Sequence, residues 1–289
     1  MTNLTAKCII AAVVPVYKPS NEDYERVASY IGQVDFCIIQ DDSPEDGFGF
    51  FTSFFNDLDL DVCYHWNGKN LGLVSSLNKG FASAMDRDAD WILVMNPDGS
   101  LEHDYVSCFR RFIQTHDSSG VAALVPTYST ARHHACPKEG YKEVSYGDMS
   151  GTLFSCSALA DLGLYDPKTY FYGCDSEWCL RAKRRGYKLI EVSGALIHHN
   201  PGTTCSFRVF GKDLFLYGKD SPVRYYYQFR SGYYIHSLYH NVKQDAFIFY
   251  KFLKVLFLFD NKREYLRLHK AAKIDFKRGY FGSYYSRRN

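Results

Sequence analysis

The stretch Trp91-Ile92-Leu93-Val94-Met95-Asn96-Pro97-Asp98 is an apolar run that ends abruptly in a polar turn. A short apolar run bounded by turn residues is typical of a strand buried in a parallel sheet. Two earlier runs have the same form. Cys8 to Val16 leads into Tyr17, and Phe36 to Ile39 leads through Gln40 into Asp41-Asp42. This repeated pattern, a buried strand with a polar end, decides the fold class.

Helical patterns alternate with these strands. Ser20-Asn21-Glu22-Asp23 has capping-box spacing ahead of a helix that runs to about Ile31. Apolar residues recur at helical spacing from Leu73 to Met85. The same reasoning predicts helices over 48–56 and 103–116, and strands over 62–65 and 121–125. The β-α-β-α order implies a mostly parallel sheet with helices on both faces.

Polar clusters follow three of the predicted strands, namely Tyr17, Asp41-Asp42 and Asn96 to Asp98. Parallel sheets bind ligands beyond the carboxyl ends of their strands, so we expect a site at this edge. The alternative is that Asp and Asn occur here because both are common in turns. The Asp98 carboxylate is a hard oxygen ligand of the kind that Mg²⁺ and Mn²⁺ prefer, and phosphate oxygens of a ligand would complete the coordination.

A second segment with candidate catalytic residues runs from Phe171 to Arg181, and Asp175 lies at the start of a predicted helix in it. The helix dipole keeps a carboxylate ionised there, and an ionised carboxylate can take a proton from an attacking hydroxyl. Glu177 points to a different helix face, which favours an orienting or acceptor-binding role. His198 ends a predicted strand and is a candidate imidazole ligand for the same metal. The alternatives are an N-cap for Asp175 and a carbonyl-bonded histidine for His198.

The chain resembles the family 2 glycosyltransferases of the GT-A fold, particularly the bacterial rhamnosyltransferase-like and galactofuranosyltransferase-like branch used for surface polysaccharides. Six motifs carry the resemblance, in the family's order and at family-like spacing. They are Val13-Val14-Pro15-Val16-Tyr17, Asp41-Asp42-Ser43, Asn70-Leu71-Gly72 with Asn78-Lys79-Gly80, Asn96-Pro97-Asp98, the helix from Asp175 to Arg181, and His198.

The resemblance implies an α/β fold of GT-A (Rossmann-like) type, with a mostly parallel sheet, flanking helices and a C-terminal helical appendage. Residues 1–220 would form the catalytic domain, with a nucleotide-sugar half at about 1–126 and an acceptor half at about 127–220. The implied enzyme is a metal-dependent, inverting glycosyltransferase. It would move a sugar, with rhamnose or galactofuranose favoured, from a dTDP- or UDP-linked donor to a glycan or polyprenyl-diphosphate-linked acceptor.

The resemblance also implies roles for individual residues. Asp41 or Asp42 would contact the nucleotide base, Asp98 and His198 would hold Mn²⁺ or Mg²⁺, and Asp175 falls on the catalytic base. The donor-binding set is Pro15, Tyr17, Asp41, Asp42, Asn70, Gly72, Asn78, Asn96 and Asp98. The acceptor-binding set is Ser150, Gly151, Glu177 and Trp178. A turn between the two halves of the domain is the alternative for Ser150-Gly151, since Met149 interrupts the run of small residues.

Two departures from the family pattern concern the metal and the base. Asn96 stands where the D-x-D motif has its first carboxylate, a change that several members of this branch share. Metal affinity would therefore rest more on Asp98 and His198. Cys174 precedes Asp175 where many relatives have Glu-Asp, which leaves Asp175 as the sole base candidate at the start of the motif.

The region 221–289 is aromatic and basic, and it carries much of the chain's 24 Tyr. From Lys243 to Asn289 there are twelve Lys or Arg against four Asp or Glu. Ala246 to Phe259 is apolar apart from Tyr250 and two lysines, and it is too short to span a bilayer. This pattern favours either peripheral contact with anionic lipids or packing on the catalytic domain or on a second subunit in a homodimer.

Composition bounds the remaining possibilities. A formal net charge of +2 gives no reason to propose nucleic acid as a partner. The nine scattered Cys include no C-x-x-C pair, and His133, His134 and Cys136 supply too few ligands for a zinc site. A polar N-terminus and the absence of a long apolar run predict a cytoplasmic protein, with the inner face of the plasma membrane as an alternative location.

Two other functions compete with sugar transfer. A sugar-phosphate nucleotidyltransferase expects a Gly-rich loop after the first strand, whereas this strand leads into Pro15-Val16-Tyr17-Lys18-Pro19. A non-catalytic carbohydrate-binding or scaffold protein could share the fold, but it would need neither the Asp98 and His198 pair nor Asp175.

Overall fold

The computed structural model describes residues 7–56, 58–136, 139–198, 202–210 and 212–287. The N-terminal segment Met1–Ala6 and Pro137, next to Cys136, lie outside the described residues. The chain divides into two compact units, each described by itself. The first unit comprises Met1–Ser129, Ala135–Leu164 and Cys179–His199, and the second comprises Thr130–His134, Tyr165–Trp178 and Asn200–Asn289.

The first unit is built around a nine-stranded sheet flanked by helices. Its strands are β1 (Ile10–Val16), β2 (Phe36–Asp41), β3 (Val62–Trp66), β4 (Trp91–Val94), β5 (Ser100–Leu101), β6 (Val121–Ser129), β7 (Tyr141–Val144), β8 (Leu153–Ser155) and β9 (Lys188–His198). Its helices are α1 (Asn21–Ile31), α2 (Phe48–Phe55), α3 (Leu73–Met85), α4 (Tyr105–Thr115), α5 (Cys156–Leu162) and most of α6 (Cys174–Arg184).

The sheet order is β3-β2-β1-β4-β8-β6-β9-β5, with β7 paired to β9. Strands β3, β2, β1 and β4 are parallel neighbours, and β6 is parallel to β9. The register sets Val16 opposite Asp41, and Asp41 opposite Trp66. The carboxyl ends of these strands therefore meet at one edge, as the sequence predicts.

Local chemistry fixes the helices that flank this sheet. The Ser20 side chain accepts a hydrogen bond from Asp23 N–H, and the Asp23 carboxylate accepts one from Ser20 N–H, which is the predicted capping box. On α3, a β-carbon at Gly80 would collide with the side chain of Val13. Glycine at this position thus lets α3 pack closely against β1.

The second unit contains the hairpin β10 (Thr203–Val209) and β11 (Lys212–Lys219), and the helices α7 (Pro222–Tyr239), α8 (Val242–Leu258) and α9 (Lys262–Lys277). Its buried core explains the local excess of aromatic residues. Arg230 is fully buried, and Tyr226, Tyr227 and Phe281 are among the rings within 6 Å of its guanidinium carbon. The guanidinium also donates a hydrogen bond to the Phe281 carbonyl at 2.9 Å. Tyr226 and Tyr227 therefore surround a buried cation in addition to packing against apolar side chains.

The structure differs from the sequence-based expectation in several elements. The strand predicted over 121–125 is longer, because β6 continues to Ser129. The predicted strand that ends at His198 is β9, which begins at Lys188. The short strand β8, the helix α5 and the hairpin β10–β11 are not predicted. The second unit also begins before residue 221, so the functional division at about 126 and 220 stays a prediction.

Two further properties follow from the described residues. None of the nine cysteines forms a disulfide. No helix in the described ranges combines the length and the apolarity that crossing a membrane requires.

Candidate active site

Asp41 is the last residue of β2, and its carboxylate is buried. The residue is 0% exposed, and its Oδ1 accepts the backbone N–H of Ser43 at 2.7 Å. Its Oδ2 accepts the hydroxyl of Tyr64, on β3, at 2.6 Å. Both oxygens are therefore engaged in holding the β2–β3 edge, so Asp41 organises the site in this structure.

The neighbouring Asp42 is 5% exposed and anchors the loop before α3. Its Oδ1 accepts the side-chain amide of Asn67 at 2.8 Å. Burial raises the pKa of the Asp42 carboxyl, while hydrogen bonds from Asn67 and from the backbone N–H groups of Leu71 and Gly72 act in the opposite direction. This carboxyl joins the end of β2 to the loop that carries Asn70 and Gly72.

Asn67 is a site residue that the sequence reasoning does not single out. It immediately follows β3, and its backbone N–H donates to the Asp41 carbonyl at 2.8 Å. Its side-chain oxygen accepts Lys79 Nζ at 2.8 Å and Gln40 Nε2 at 3.0 Å. The signal was available, because Asn67 follows a strand as Asp41-Asp42 and Asn96 do.

The other predicted donor-binding residues occupy this edge or the elements beside it. Asn70 Oδ1 accepts the backbone N–H of Gly72 at 2.9 Å, and Gly72 has a φ of +85° at the start of α3. Asn78 lies on α3 and is half-buried. Pro15 is buried within β1, whereas Tyr17 after its end is 53% exposed. Tyr17 is thus accessible to a ligand.

The turn after β4 meets the predicted acceptor segment. Asn96 N–H donates to the Ser150 hydroxyl at 3.4 Å, and Gly151 N–H donates to the Val94 carbonyl at 2.7 Å. Ser150 is fully buried. Asp98 follows in the same turn and is exposed. Ser150-Gly151 therefore forms a backbone junction beside the Asn96-Pro97-Asp98 turn.

Asp148 is a second residue that the sequence reasoning does not assign. Its side chain accepts the Ser150 N–H at 3.4 Å, and burial raises the pKa of its carboxyl. Its carbonyl oxygen accepts the Tyr128 hydroxyl at 2.8 Å. Asp148 thus holds the Ser150-Gly151 segment against β6.

His198 lies near the Asp98 turn through strand pairing. On β5 and β9 the register sets Ser100 opposite His198, and Ser100 is two residues beyond Asp98. His198 Nε2 lies 3.6 Å from Glu102 Oε1, and both side chains are more than half exposed. Within the described ranges, no three His, Cys, Asp or Glu side chains are grouped to hold a metal ion. An ion bound here would need ligands from the donor as well as from Asp98 and His198.

The remaining predicted site residues lie on α6, in the second unit. Asp175 is half-buried, and its Oδ1 accepts Ser176 N–H at 2.7 Å. Glu177 is 2% exposed and accepts the Tyr239 hydroxyl at 2.6 Å. Trp178 is fully buried, with its ring edge-on to Tyr165. Burial of Glu177 and Trp178 favours an orienting role over direct contact, and their acceptor-binding role stays a prediction.

Comparison with known proteins identifies the family. The model of the family "Glycosyl transferase family 2" matches residues 12–159, which is half of the chain. The chain belongs to glycosyl transferase family 2. The matched range covers every predicted donor-binding residue and the Ser150-Gly151 junction, and it ends before Asp175 and His198.

Among its relatives, this family 2 glycosyltransferase is similar to the dTDP-rhamnosyl transferase RfbF of Shigella flexneri. The two are 23% identical over 241 residues, which cover 74% of this chain and 78% of the relative. The predicted enzyme class, a nucleotide-sugar glycosyltransferase, is confirmed at this level.

Solved structures share the GT-A fold with this family 2 glycosyltransferase. GalNAc-T7, in a structure with UDP, GalNAc and Mn²⁺, superposes with a TM-score of 0.62 at 12% identity. That match covers 95% of this chain and 56% of GalNAc-T7, so the chain spans little more than half of that protein. S. aureus TarS residues 1–349, in complex with UDP-GlcNAc, superposes with a TM-score of 0.55 at 13% identity, covering 94% of this chain and 92% of TarS 1–349. The predicted fold class is confirmed.

Proposed function

We propose that this protein transfers a deoxyhexose or hexose, with rhamnose favoured and galactofuranose the alternative, from a dTDP- or UDP-linked donor to a glycan or lipid-linked glycan, with inversion at the anomeric carbon. The observation that carries the proposal is the convergence of Tyr17, Asp42, Asn67 and Asn96 at one sheet edge of a family 2 chain. The similarity to a dTDP-rhamnosyl transferase supports rhamnose.

The first unit would bind the donor. Asp41 and Asp42 stiffen the edge through internal hydrogen bonds, and the accessible ring of Tyr17 is suited to pack on a nucleotide. A rigid, prearranged edge lowers the entropic cost of binding. Asp41 or Asp42 would accept a hydrogen bond from the nucleotide base, and Asn70, Gly72, Asn78 and Pro15 would shape the pocket.

Asp98 and His198 would hold Mn²⁺ or Mg²⁺ together with the donor's phosphates. The exposed Asp98 carboxylate lies in the turn before β5, and the exposed His198 imidazole lies on β9, which pairs with β5. Both groups fit such an ion, provided that phosphate oxygens complete its coordination. When bound, the ion would neutralise charge on the departing diphosphate. Asn96 contributes an amide in place of a carboxylate, so less negative charge is available to hold the ion without the donor.

Asp175 would act as the catalytic base. The acceptor hydroxyl attacks the anomeric carbon, the bond between that carbon and the diphosphate oxygen breaks, and the hydroxyl proton passes to the Asp175 carboxylate. The Ser176 N–H bond at 2.7 Å fixes the orientation of this carboxylate, and the start of α6 favours its ionised form. Glu177, held by Tyr239, and the buried Trp178 would support the acceptor side with Ser150 and Gly151.

The second unit would also touch the inner face of the membrane, which agrees with a lipid-linked acceptor and a cytoplasmic enzyme. Large apolar side chains are exposed on the hairpin and on α8. They include Phe210, Leu214, Phe215, Leu216, Phe247, Phe249 and Phe257. Lysines such as Lys212 and Lys243 on the same elements would attract anionic headgroups. A second subunit covering these side chains is the alternative.

Removing residues 243–289 would not test this contact cleanly, because Val255 and Tyr265 belong to the buried core. We therefore choose the double variant Phe249→Ser with Phe257→Ser. It should float poorly with vesicles that contain phosphatidylglycerol, whereas Tyr285→Ser, another exposed aromatic change, should float like the wild type. Equal flotation of both variants would exclude this surface, and light scattering would reveal a dimer in its place.

The sugar-transfer proposal is tested with a panel of nucleotide sugars. Thermal shift with Mn²⁺ should single out the donor, since a bound ligand stabilises the fold. NMR of the product should then give an anomeric configuration opposite to that of the donor. Retention of configuration would rule out the single displacement at Asp175. Donor binding without turnover on any acceptor would favour the scaffold alternative, while family membership argues against the nucleotidyltransferase.

A further inference from the structure

A cluster of cations lies on one side of the second unit, around Gly218. Lys254 Nζ donates a hydrogen bond to the Gly218 carbonyl at 2.6 Å. The Arg132 guanidinium fills the space that a β-carbon of Gly218 would need. Lys251, one helical turn before Lys254, donates to Gln228 Oε1 at 2.6 Å. Three basic side chains from two separate segments of the chain are thus brought together.

Carboxylates balance this cluster only in part. Gln228 Nε2 donates to Asp220 Oδ2 at 2.9 Å, so a neutral amide stands between Lys251 and Asp220. Asp220 also lies 3.6 Å from Arg224. Across the described residues, no carboxylate oxygen comes within 4 Å of the ammonium group of Lys251 or of Lys254. Both lysines are therefore held by neutral partners.

The electrostatics of the cluster are unfavourable in the absence of an anion. Burial lowers the pKa of Lys251 to about 8, and the nearby charges of Lys254 and Arg132 act in the same direction. Burial also lowers the pKa of Lys254, again with Arg132 contributing. Asp220 and Asp175 act oppositely on Lys251.

Packing alone does not require this charge. The Lys251 ammonium lies 4.8 Å from the centre of the Phe247 ring and 5.3 Å from that of Tyr225. An uncharged side chain of similar length, such as methionine, would fill the same space without a desolvation cost. A partly buried group of like charges is the usual arrangement for holding phosphate, because Lys and Arg make short charge-assisted hydrogen bonds to its oxygens.

We propose that Arg132, Lys251 and Lys254 bind the phosphate or diphosphate group of the acceptor substrate. A phosphate would give Lys251 and Lys254 the anionic partner that the Gln228 amide and the Gly218 carbonyl do not supply. Asp175 belongs to the same unit, and its charge acts on Lys251, which agrees with an acceptor that contacts both. The inference rests on the proposed function and adds that the acceptor is phosphorylated. The donor's diphosphate is the other source of such a group, and it is assigned to the Asp98 side of the first unit.

The test uses the full chain with pyrophosphate as the probe, in metal-free buffer at constant ionic strength. Pyrophosphate should raise the melting temperature of the wild type and of Lys243→Met, an exposed lysine on the same helix. Its dissociation constant should rise roughly tenfold or more in Lys251→Met and in Lys254→Gln. Because Lys251→Met removes a partly buried charge, this variant should melt no lower than the wild type. If Lys251→Met nevertheless unfolds, Lys254→Gln tests the site independently.

Asp98→Asn separates the two phosphate sources. It should keep the pyrophosphate response in metal-free buffer but lose the stabilisation by dTDP with Mn²⁺. Pyrophosphate binding that is equal in wild type, Lys251→Met and Lys254→Gln would overturn the proposed site, as would a wild type that does not respond. Pyrophosphate binding as predicted, in a protein that never transfers a sugar, would leave the anion site standing and refute the proposed function.

Discussion

Asn67 donates a 2.8 Å hydrogen bond from its side-chain amide to the buried carboxylate of Asp42. Its backbone N–H also donates to the Asp41 carbonyl at 2.8 Å. One residue thereby ties the ends of β2 and β3 to the loop before α3. The proposed donor side of the site thus includes a residue outside the six motifs that carry the family resemblance.

Replacing Asn67 by alanine should remove this tie. Asp42 would keep its negative charge in a buried position with one donor fewer, which costs about 1–3 kcal/mol of stability. We expect the affinity for dTDP with Mn²⁺ to fall roughly tenfold. Calorimetric titration measures the affinity and urea unfolding measures the stability. Asn21→Ala, at an exposed helix start, is the control, and equal affinities in the two variants would contradict the role of Asn67.

Gly151 should tolerate no side chain. Its φ is +83°, and a β-carbon would stand 2.6 Å from the Tyr105 hydroxyl and 2.9 Å from a methyl group of Ile197. We expect Gly151→Ala to lower the free energy of unfolding by about 3 kcal/mol, since backbone strain and overpacking add. Gly186→Ala has a similar φ of +82° in open space and should cost only about 1 kcal/mol. Equal losses would show that contact with Tyr105 is unimportant.

These residues also indicate what a sequence can predict. The strands that build the edge are buried apolar runs with polar ends, so Asp41, Asp42 and Asp98 are found by position alone. Asn67 obeys the same rule after β3. By contrast, β8 has three residues and pairs with β4 and β6 from distant parts of the chain. So short a strand has no periodicity of its own.

The role of the tyrosines in the second unit could not be inferred from the sequence either. Their abundance is visible, but the buried cation that they surround, Arg230, belongs to the same helix as Tyr226 and looks like an ordinary basic residue. Likewise, the burial of Glu177 and its bond to Tyr239 depend on a contact between residues far apart in the chain. Such pairings arise only from tertiary packing.

Arg230 should be essential for the stability of the second unit. It is fully buried and donates to the carbonyl groups of Gly282 at 2.7 Å and Phe281 at 2.9 Å. Arg230→Met would leave these acceptors without a donor and lower the free energy of unfolding by about 3 kcal/mol. Arg278→Met, an exposed arginine at the end of α9, should change it by less than about 0.5 kcal/mol. Similar urea midpoints for the two variants would contradict this account.

Lys251 should make stability depend on pH in the alkaline range. Its pKa falls from 10.5 to about 8 on folding, so the folded state releases its proton first as the pH rises. Below about pH 8 both states are charged, and the buried charge lowers stability. Between about 8 and 10.5 this cost disappears. Lys251→Met should therefore be more stable than the wild type by about 1–2 kcal/mol at pH 7.

The advantage of Lys251→Met should vanish as the pH approaches 10.5. Urea unfolding of both proteins across this range measures the difference. A gap that is constant with pH would mean that the charge of Lys251 carries no cost. The exposed variant Lys243→Met should follow the wild type throughout.

The assignment of Asp175 as catalytic base is tested most directly by the rate of nucleoside diphosphate release from the preferred nucleotide sugar, with Mn²⁺ and acceptor, in wild type and Asp175→Asn. Asparagine keeps the shape of the side chain but cannot take the hydroxyl proton. The account predicts a loss of about 100-fold or more in kcat, with donor affinity unchanged. Turnover at the wild-type rate in Asp175→Asn would contradict it.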